Sequence, residues 1–284
     1  MPTTTPNLGL TKPDIGSTDW GTAVNTNWDT IDSAFGGGGA NGQCRLEYVS
    51  ATSIKLIRYN GKYLLINGAF QAVPSSGVTL TNSGLSASTL YYIYAYMSSG
   101  TMTLTASTST PTAHSTYGNQ VNSGDNTQSL VGMARTNGSS QFVDSETQRF
   151  LRSWFCEGRI VATQYGHNVG TTSSTYVEIS SSWRVEFITW AGENVAALVM
   201  GGADGTSQGV ETCSRLWLDS NQPSGQDRNA QPHTVYRSNT GYGIIFSNVS
   251  VGYHYVTLAG MLSGGGGTAT YYSISTAVFL KWRQ

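Results

Sequence analysis

The chain has 284 residues, of which 11% are charged, and a formal net charge of −1. That length supports two or three domains with their own cores. A composition rich in Gly, Ser, Thr, Asn and Tyr and poor in Leu, Lys and Glu reads as many short strands, not helices or disorder. No Lys/Arg cluster is present to neutralise a row of phosphates and no basic amphipathic segment is present, which excludes nucleic acid and membrane insertion as first readings.

Residues 1–16 hold Pro2, Pro6 and Pro13 with Gly9 and Gly16, so they are not helix. Leu8, Leu10 and Ile15 are apolar without a local core, which reads as an extended arm lying in a groove of another protein; a frayed terminus is the alternative. Residues 17–35 are predicted to be a helix, with Ser17 or Thr18 as cap and Asp19 in the first turn. Trp20, Val24, Trp28, Ile31 and Phe35 recur every three or four residues, a seam about 80° wide. Asn27 lies at its edge, where a polar residue can set register or oligomeric state. So narrow and aromatic a seam suits a bundle of copies or a tight groove. Packing on the chain's own β domain is the alternative, though the Gly36 to Gly39 joint would make that contact loose.

Residues 40–155 read as a small β domain. Residues 53–59 and 62–67 flank Asn60-Gly61, the pattern of a hairpin. Residues 89–97 form a strand that turns at Ser98-Ser99-Gly100 into 101–106. Residues 107–127 read as a long polar loop, and strand resumes at 129–136.

The arm from Asn7 to Pro13, Trp20-Gly21-Thr22 and the run from Asn27 to Asp32 resemble the N-terminal segment of tailed-bacteriophage fibre proteins. The runs 90–96, 130–136 and 153–155 are similar to a β domain that recurs in phage tail-fibre and related virion proteins. The resemblance covers residues 1 to about 155, and no long repetitive shaft follows it. It implies a structural virion protein, a homotrimeric tail fibre or receptor-binding protein made in the host cytoplasm. Another virion protein would be held through residues 1–35, and a host surface glycan or protein would be the target. A head fibre or capsid-decoration protein has the same build, and a fibre-borne glycan hydrolase or deacetylase is a further alternative.

Residues 156–284 carry eight or nine candidate strands between Gly/Asn/Ser turns, which suggests a jelly-roll-like β-sandwich. His254, Val256, Leu258, Gly260 and Leu262 share one face of a strand; Tyr272, Ile274, Thr276, Val278, Leu280 and Trp282 share one face of the next. The glycine-rich residues 263–268 read as the hairpin tip between them. The fold class expected is therefore mostly β: an extended N-terminal arm plus one amphipathic helix (residues 1–39), a small β domain (40–155) and a C-terminal jelly-roll-like sandwich (156–284).

Chemistry is sparse. Cys44, Cys156 and Cys213 are odd in number and far apart, which fits free thiols in a reducing compartment, and the N-terminus lacks the pattern of a signal peptide. His114, His167, His233 and His254 occur singly, with no metal-binding spacing. Asp204, Glu211, Asp219 and Asp227 are scattered among turns and do not make a glycosidase pair by spacing. The expectation is a non-enzyme without metal or cofactor. Weak receptor-contact candidates are the polar loop with Asp219, Asn221 and Asp227, and the aromatics Tyr165, Trp190, Tyr236 and Tyr242, residue types that stack on sugars and anchor interfaces.

Overall fold

The structure is a computed structural model that describes residues 3–5, 10–35, 42–157, 160–205, 211–220, 231–232, 238–263 and 266–280. It is mostly strand, with α1 (Trp20–Phe35) as the α-helix among the described residues. Contacts divide the chain into two units: Met1–Val143 with Leu151–Glu157, and Asp144–Phe150 with Gly158–Gln284.

In the first unit the arm is extended but doubles back, β1 (Thr3–Thr4) pairing antiparallel with β2 (Thr11–Lys12). Asp19 stands just ahead of α1, where its carbonyl accepts from Ala23 N–H and its own N–H donates to Ser17 Oγ. It occupies the cap position, one step outside the first turn expected for it. Thr26 and Thr30 donate their hydroxyls to carbonyls one turn back, which satisfies these polar side chains within the helix. The expected glycine joint lies outside the described residues.

The β part of this unit begins with the hairpin β3 (Cys44–Ser50) and β4 (Ser53–Arg58). The expected pairing of β4 with β5 (Tyr63–Ile66) across Asn60-Gly61 is not formed. The segment before β3 lies between them: Tyr59 N–H donates to the Gln43 carbonyl, Gln43 N–H to the Tyr63 carbonyl, and Gln43 Oε1 accepts from Lys62 and Tyr63. Strand β5 pairs instead with β6 (Ala69–Ala72) across Asn67-Gly68, both in the left-handed region that such a two-residue turn requires. β7 (Val78–Thr81) completes the β3–β4 sheet.

β8 (Leu90–Ser98) turns at Ser99-Gly100 into β9 (Thr101–Ser107), as read from the sequence. The expected loop is instead a meander, β10 (Pro111–Ala113), β11 (Gln120–Asn122) and the start of β12 (Asp125–Arg135). Its polar side chains fold onto the turns: Asp125 accepts from Thr127 and Gln128, and Asn122 from Gly124. β13 (Gln148–Arg149) belongs to the second unit, and β14 (Leu151–Ser153) pairs with β12. Arg152, 2% exposed, is held by both carboxylate oxygens of Glu157. Leu46, Ile54, Leu56, Ile93, Val131 and Phe142 form the core.

The second unit is a two-sheet sandwich. Its strands are β15 (Ile160–Gly166), β16 (Val169–Thr171), β17 (Val177–Glu178), β18 (Val185–Thr189), β19 (Glu193–Gly205), β20 (Glu211–Leu218), β21 (Gln231–Pro232), β22 (Ser238–Val249), β23 (Gly252–Ser263) and β24 (Ala269–Leu280). One sheet runs β15-β24-β19-β22, with β16 continuing β15 along β24; the other runs β13-β18-β23-β20-β21, with β17 continuing β18 along β23. Set aside β13 and treat β16 and β17 as continuations, and the pairing is nested. First pairs with last (β15·β24), second with seventh (β18·β23), third with sixth (β19·β22) and fourth with fifth (β20·β21). This is one long antiparallel ribbon rolled into two sheets, a jelly roll.

The predicted core face of β23 is buried at His254, Val256, Leu258 and Leu262, as is that of β24 at Ile274, Thr276, Val278 and Leu280; Tyr272 is instead half-buried, because the register shift between Met200 and Gly202 puts Tyr271 in the core in its place, and Trp282 lies outside the described residues. The expected hairpin between these strands is not formed: β23 and β24 lie in opposite sheets, so their connection crosses the sandwich. Alternation marks which face is buried but not which strand is the partner. Tyr271 fills the core opposite Gly260, where a Cβ would overlap its ring, and its hydroxyl donates to the Cys213 carbonyl at 2.6 Å.

Candidate functional site

The Asn27 side chain ties the arm to the helix. Asn27 Oδ1 accepts from Thr11 N–H and its Nδ2 donates to the Thr11 carbonyl, both at 2.8 Å. The amide thus mimics a strand neighbour for β2, a role that position at the edge of the seam did not reveal. Leu10, whose N–H donates to Thr5 Oγ1, and Pro13 are half-buried. Val24 and Ile31 are also half-buried, while Trp20 and Trp28 are 63% and 64% exposed. The two indoles stand eight residues apart on one stripe of the helix, facing water. Phe35 ends α1, and Leu8 lies outside the described residues.

The receptor-contact candidates do not converge. Asn221, Asp227 and Tyr236 lie outside the described residues. Trp190 is 3% exposed and belongs to the interior. Tyr242 packs against the sandwich core, and burial pushes its phenol pKa well up. Neither is a surface contact: in a two-faced strand, aromatic character alone does not tell the inward position from the outward one.

Asp219 is committed within the chain. Its Oδ2 lies 2.6 Å from His254 Nδ1 and its Oδ1 accepts from Tyr255 N–H. His254 Nε2 lies 2.9 Å from the Ser250 carbonyl and 3.4 Å from Ser250 Oγ. The serine–histidine–aspartate order invites comparison with a nucleophilic triad. The geometry supports a charged strut instead. Carboxylate and carbonyl oxygens both accept, so both ring nitrogens carry protons, and no lone pair is left to take one from Ser250. Burial opposes the charge on His254, but the Asp219 carboxylate and the Ser250 carbonyl outweigh it and hold the pKa above the ordinary histidine value. Among the described residues no group of His, Cys, Asp and Glu is arranged to hold a metal ion.

Tyr165, 62% exposed, belongs to a surface that the sequence reading missed. Across the outer face of the β15-β24-β19-β22 sheet, register aligns Val161, Phe279, Ala196 and Ile245 in one row. The next outward rows are Thr163, Ala277, Leu198 and Gly243, then Tyr165, Ser275, Met200 and Gly241. No charged residue occurs in these rows. The signal was present in residues 195–200, Val-Ala-Ala-Leu-Val-Met, where every position is apolar and alternation is lost. A strand with one wet face should alternate.

No protein-family model matches the chain, and no curated protein matches it. Among solved structures, that of the infectious bursal disease virus Gx strain shares 11% identity over 83% of this chain and 66% of that one, with a TM-score of 0.30. T=1 particles derived from infectious bursal virus share 11% over 81% of this chain and 63% of theirs, TM-score 0.32. BuGH86wt in complex with neoagarooctaose shares 9% over 84% of this chain and 34% of its own, TM-score 0.26. The chain spans less than two thirds of the length of each. Likeness at this level carries no argument, and the functional reading rests on the residues.

Proposed function

We propose that this chain is a structural component of a tailed-phage virion, a tail fibre or receptor-binding protein. It attaches through residues 1–35 and presents its β units for host adhesion, without catalytic activity and as a homotrimer. The observation that carries the reading is the pair of water-facing indoles, Trp20 and Trp28, on a helix to which the arm is pinned through Asn27. An exposed apolar stripe costs solubility and is kept where a partner covers it. The resemblance of the same residues to fibre N-termini supplies the kind of partner, another virion protein. A head fibre or capsid-decoration protein is the second reading, favoured by the absence of a repetitive shaft between the attachment segment and the sandwich. Labelling of intact particles separates tail from head.

Deleting residues 1–35 is expected to leave a folded β protein that no longer joins the particle. Trp28→Asp should impair incorporation while the sheet signal in circular dichroism is kept. Incorporation of either protein at the normal copy number would sink the attachment reading.

A further inference from the structure

We propose that the outer face of the β15-β24-β19-β22 sheet is a self-association surface, covered by the same face of other copies of this chain. The proposal rests on the reading of a self-assembling virion protein and locates a contact that the reading leaves unplaced.

Three observations carry it. The first is exposure: Tyr165, Met200 and Ile245 are 62%, 59% and 65% exposed, and the exposed Leu198 lies in the row between those of Met200 and Ile245. Such side chains in adjoining rows of one sheet face are not scattered apolar residues.

The second is charge. A patch without a charged residue offers a charged partner nothing to complement, and it offers a glycan few hydrogen-bonding groups. Charge depletion and high apolar content instead mark the interfaces between identical subunits. A face of this composition is its own best complement, and contact between like patches about an axis closes an assembly.

The third is bare backbone. Gly241 and Gly243 lie on β22, the edge strand of this sheet, and neither is in the left-handed region. A Cβ on Gly241 would meet nothing closer than the Val199 carbonyl oxygen at 4.0 Å. At Gly241 neither conformation nor space within the chain requires glycine, although glycine weakens a strand by roughly 0.5–1 kcal/mol; at Gly243 a Cβ would come within 3.2 Å of the Ala197 carbonyl oxygen. Glycine in a strand often marks the close approach of another backbone.

Area sets the expected strength. Four strands about 4.8 Å apart, with three outward positions each at about 6.8 Å, cover on the order of 400 Å². One side of a stable interface buries about 800 Å². The face alone therefore holds copies together weakly, and the assembly should dissociate on dilution.

The test measures the mass of the full chain by sedimentation at micromolar concentration. Wild type is expected to be oligomeric. Met200→Asp and Gly241→Val should each weaken assembly at least tenfold, with unchanged sheet signal. Gly241→Val is the sharper variant, because valine suits a strand and its Cβ would meet no atom of the same chain closer than 4.0 Å. A monomeric wild type, or a Met200→Asp chain that assembles like wild type, overturns the proposal. In the wild-type assembly, peroxide should oxidise Met200 more slowly than in the Met200-bearing Ile245→Asp variant; equal rates would also overturn it. Residues 1–35 are intact in all these variants. Failure of the face therefore shows as unchanged mass, whereas failure of the attachment reading shows as normal particle incorporation of Trp28→Asp.

Discussion

On one outer face of the sandwich, Tyr165, Met200 and Ile245 meet water beside bare glycines. On the other, Arg184 is gripped by both oxygens of Glu178 at 2.7 Å and lies 3.9 Å over the Tyr255 ring. Tyr253 donates to Glu186, which also accepts from Gln148, and Arg215 stacks 4.2 Å over Tyr176. The two faces belong to one fold and one core, yet the polar one settles most of its charges within the chain. The apolar one has no counterpart among its own rows. A sheet's outward residues can thus be arranged for the chain itself or for something outside it, and internal pairing tells the two apart.

Substitutions should separate the faces by their effect on stability. The largest effect is expected at Asp219, which holds His254 next to the polar face: Asp219→Ala strips partners from a buried ring and from Tyr255 N–H, and should cost about 1–3 kcal/mol. Because the His254 pKa is raised in the folded state, its stabilisation is complete below the unfolded value of about 6.5 and is lost as pH rises through the folded value. Thermal unfolding across that range should show the loss in wild type and not in the variant.

Glu178→Gln should cost less, about 1 kcal/mol, because the pair is partly exposed. The hydrogen bond from Arg184 lowers the Glu178 pKa against the opposing effect of burial. Its contribution is therefore present above about pH 4.3 and lost as pH falls through the lower folded value. The polar face is thus strongest between these two titrations.

The smallest effect is expected on the apolar face: in protein diluted until it is monomeric, so that association adds nothing, Ile245→Thr should stay within about 0.5 kcal/mol of wild type in denaturant unfolding. A cost above about 2 kcal/mol would mean that this face is already covered within the chain, and the contrast between the faces would be lost.

Much of this was legible in the sequence. The alternation in 254–262 and 274–280 marked the core faces, and the spacing of apolar residues in 20–35 marked the helix. What remained hidden depends on partners distant in the chain. Asn60-Gly61 looked like a hairpin because nothing local shows Gln43 entering between its arms. Residues 107–127 looked like a loop because their hydrogen bonds compensate for weak strand propensity. Trp190 and Tyr242 looked available because aromatic residues serve cores and surfaces equally. Asn27 was marked for register, while its double bond to Thr11 required knowing that the arm returns.

The nested pairing also has a consequence in time. Strand β24 is central to its sheet, between β15 and β19, and its partner at Ile160 lies about 120 residues earlier than Leu280. At about 5–20 residues per second, a ribosome takes on the order of ten seconds to make that interval. β15 waits through all of it, and β19 from its own synthesis onward, without the strand that joins them, and the apolar sequence of β19 stays unshielded. Synthesis order therefore makes the sandwich a late folder, dependent on whatever protects a nascent chain until its last strand arrives.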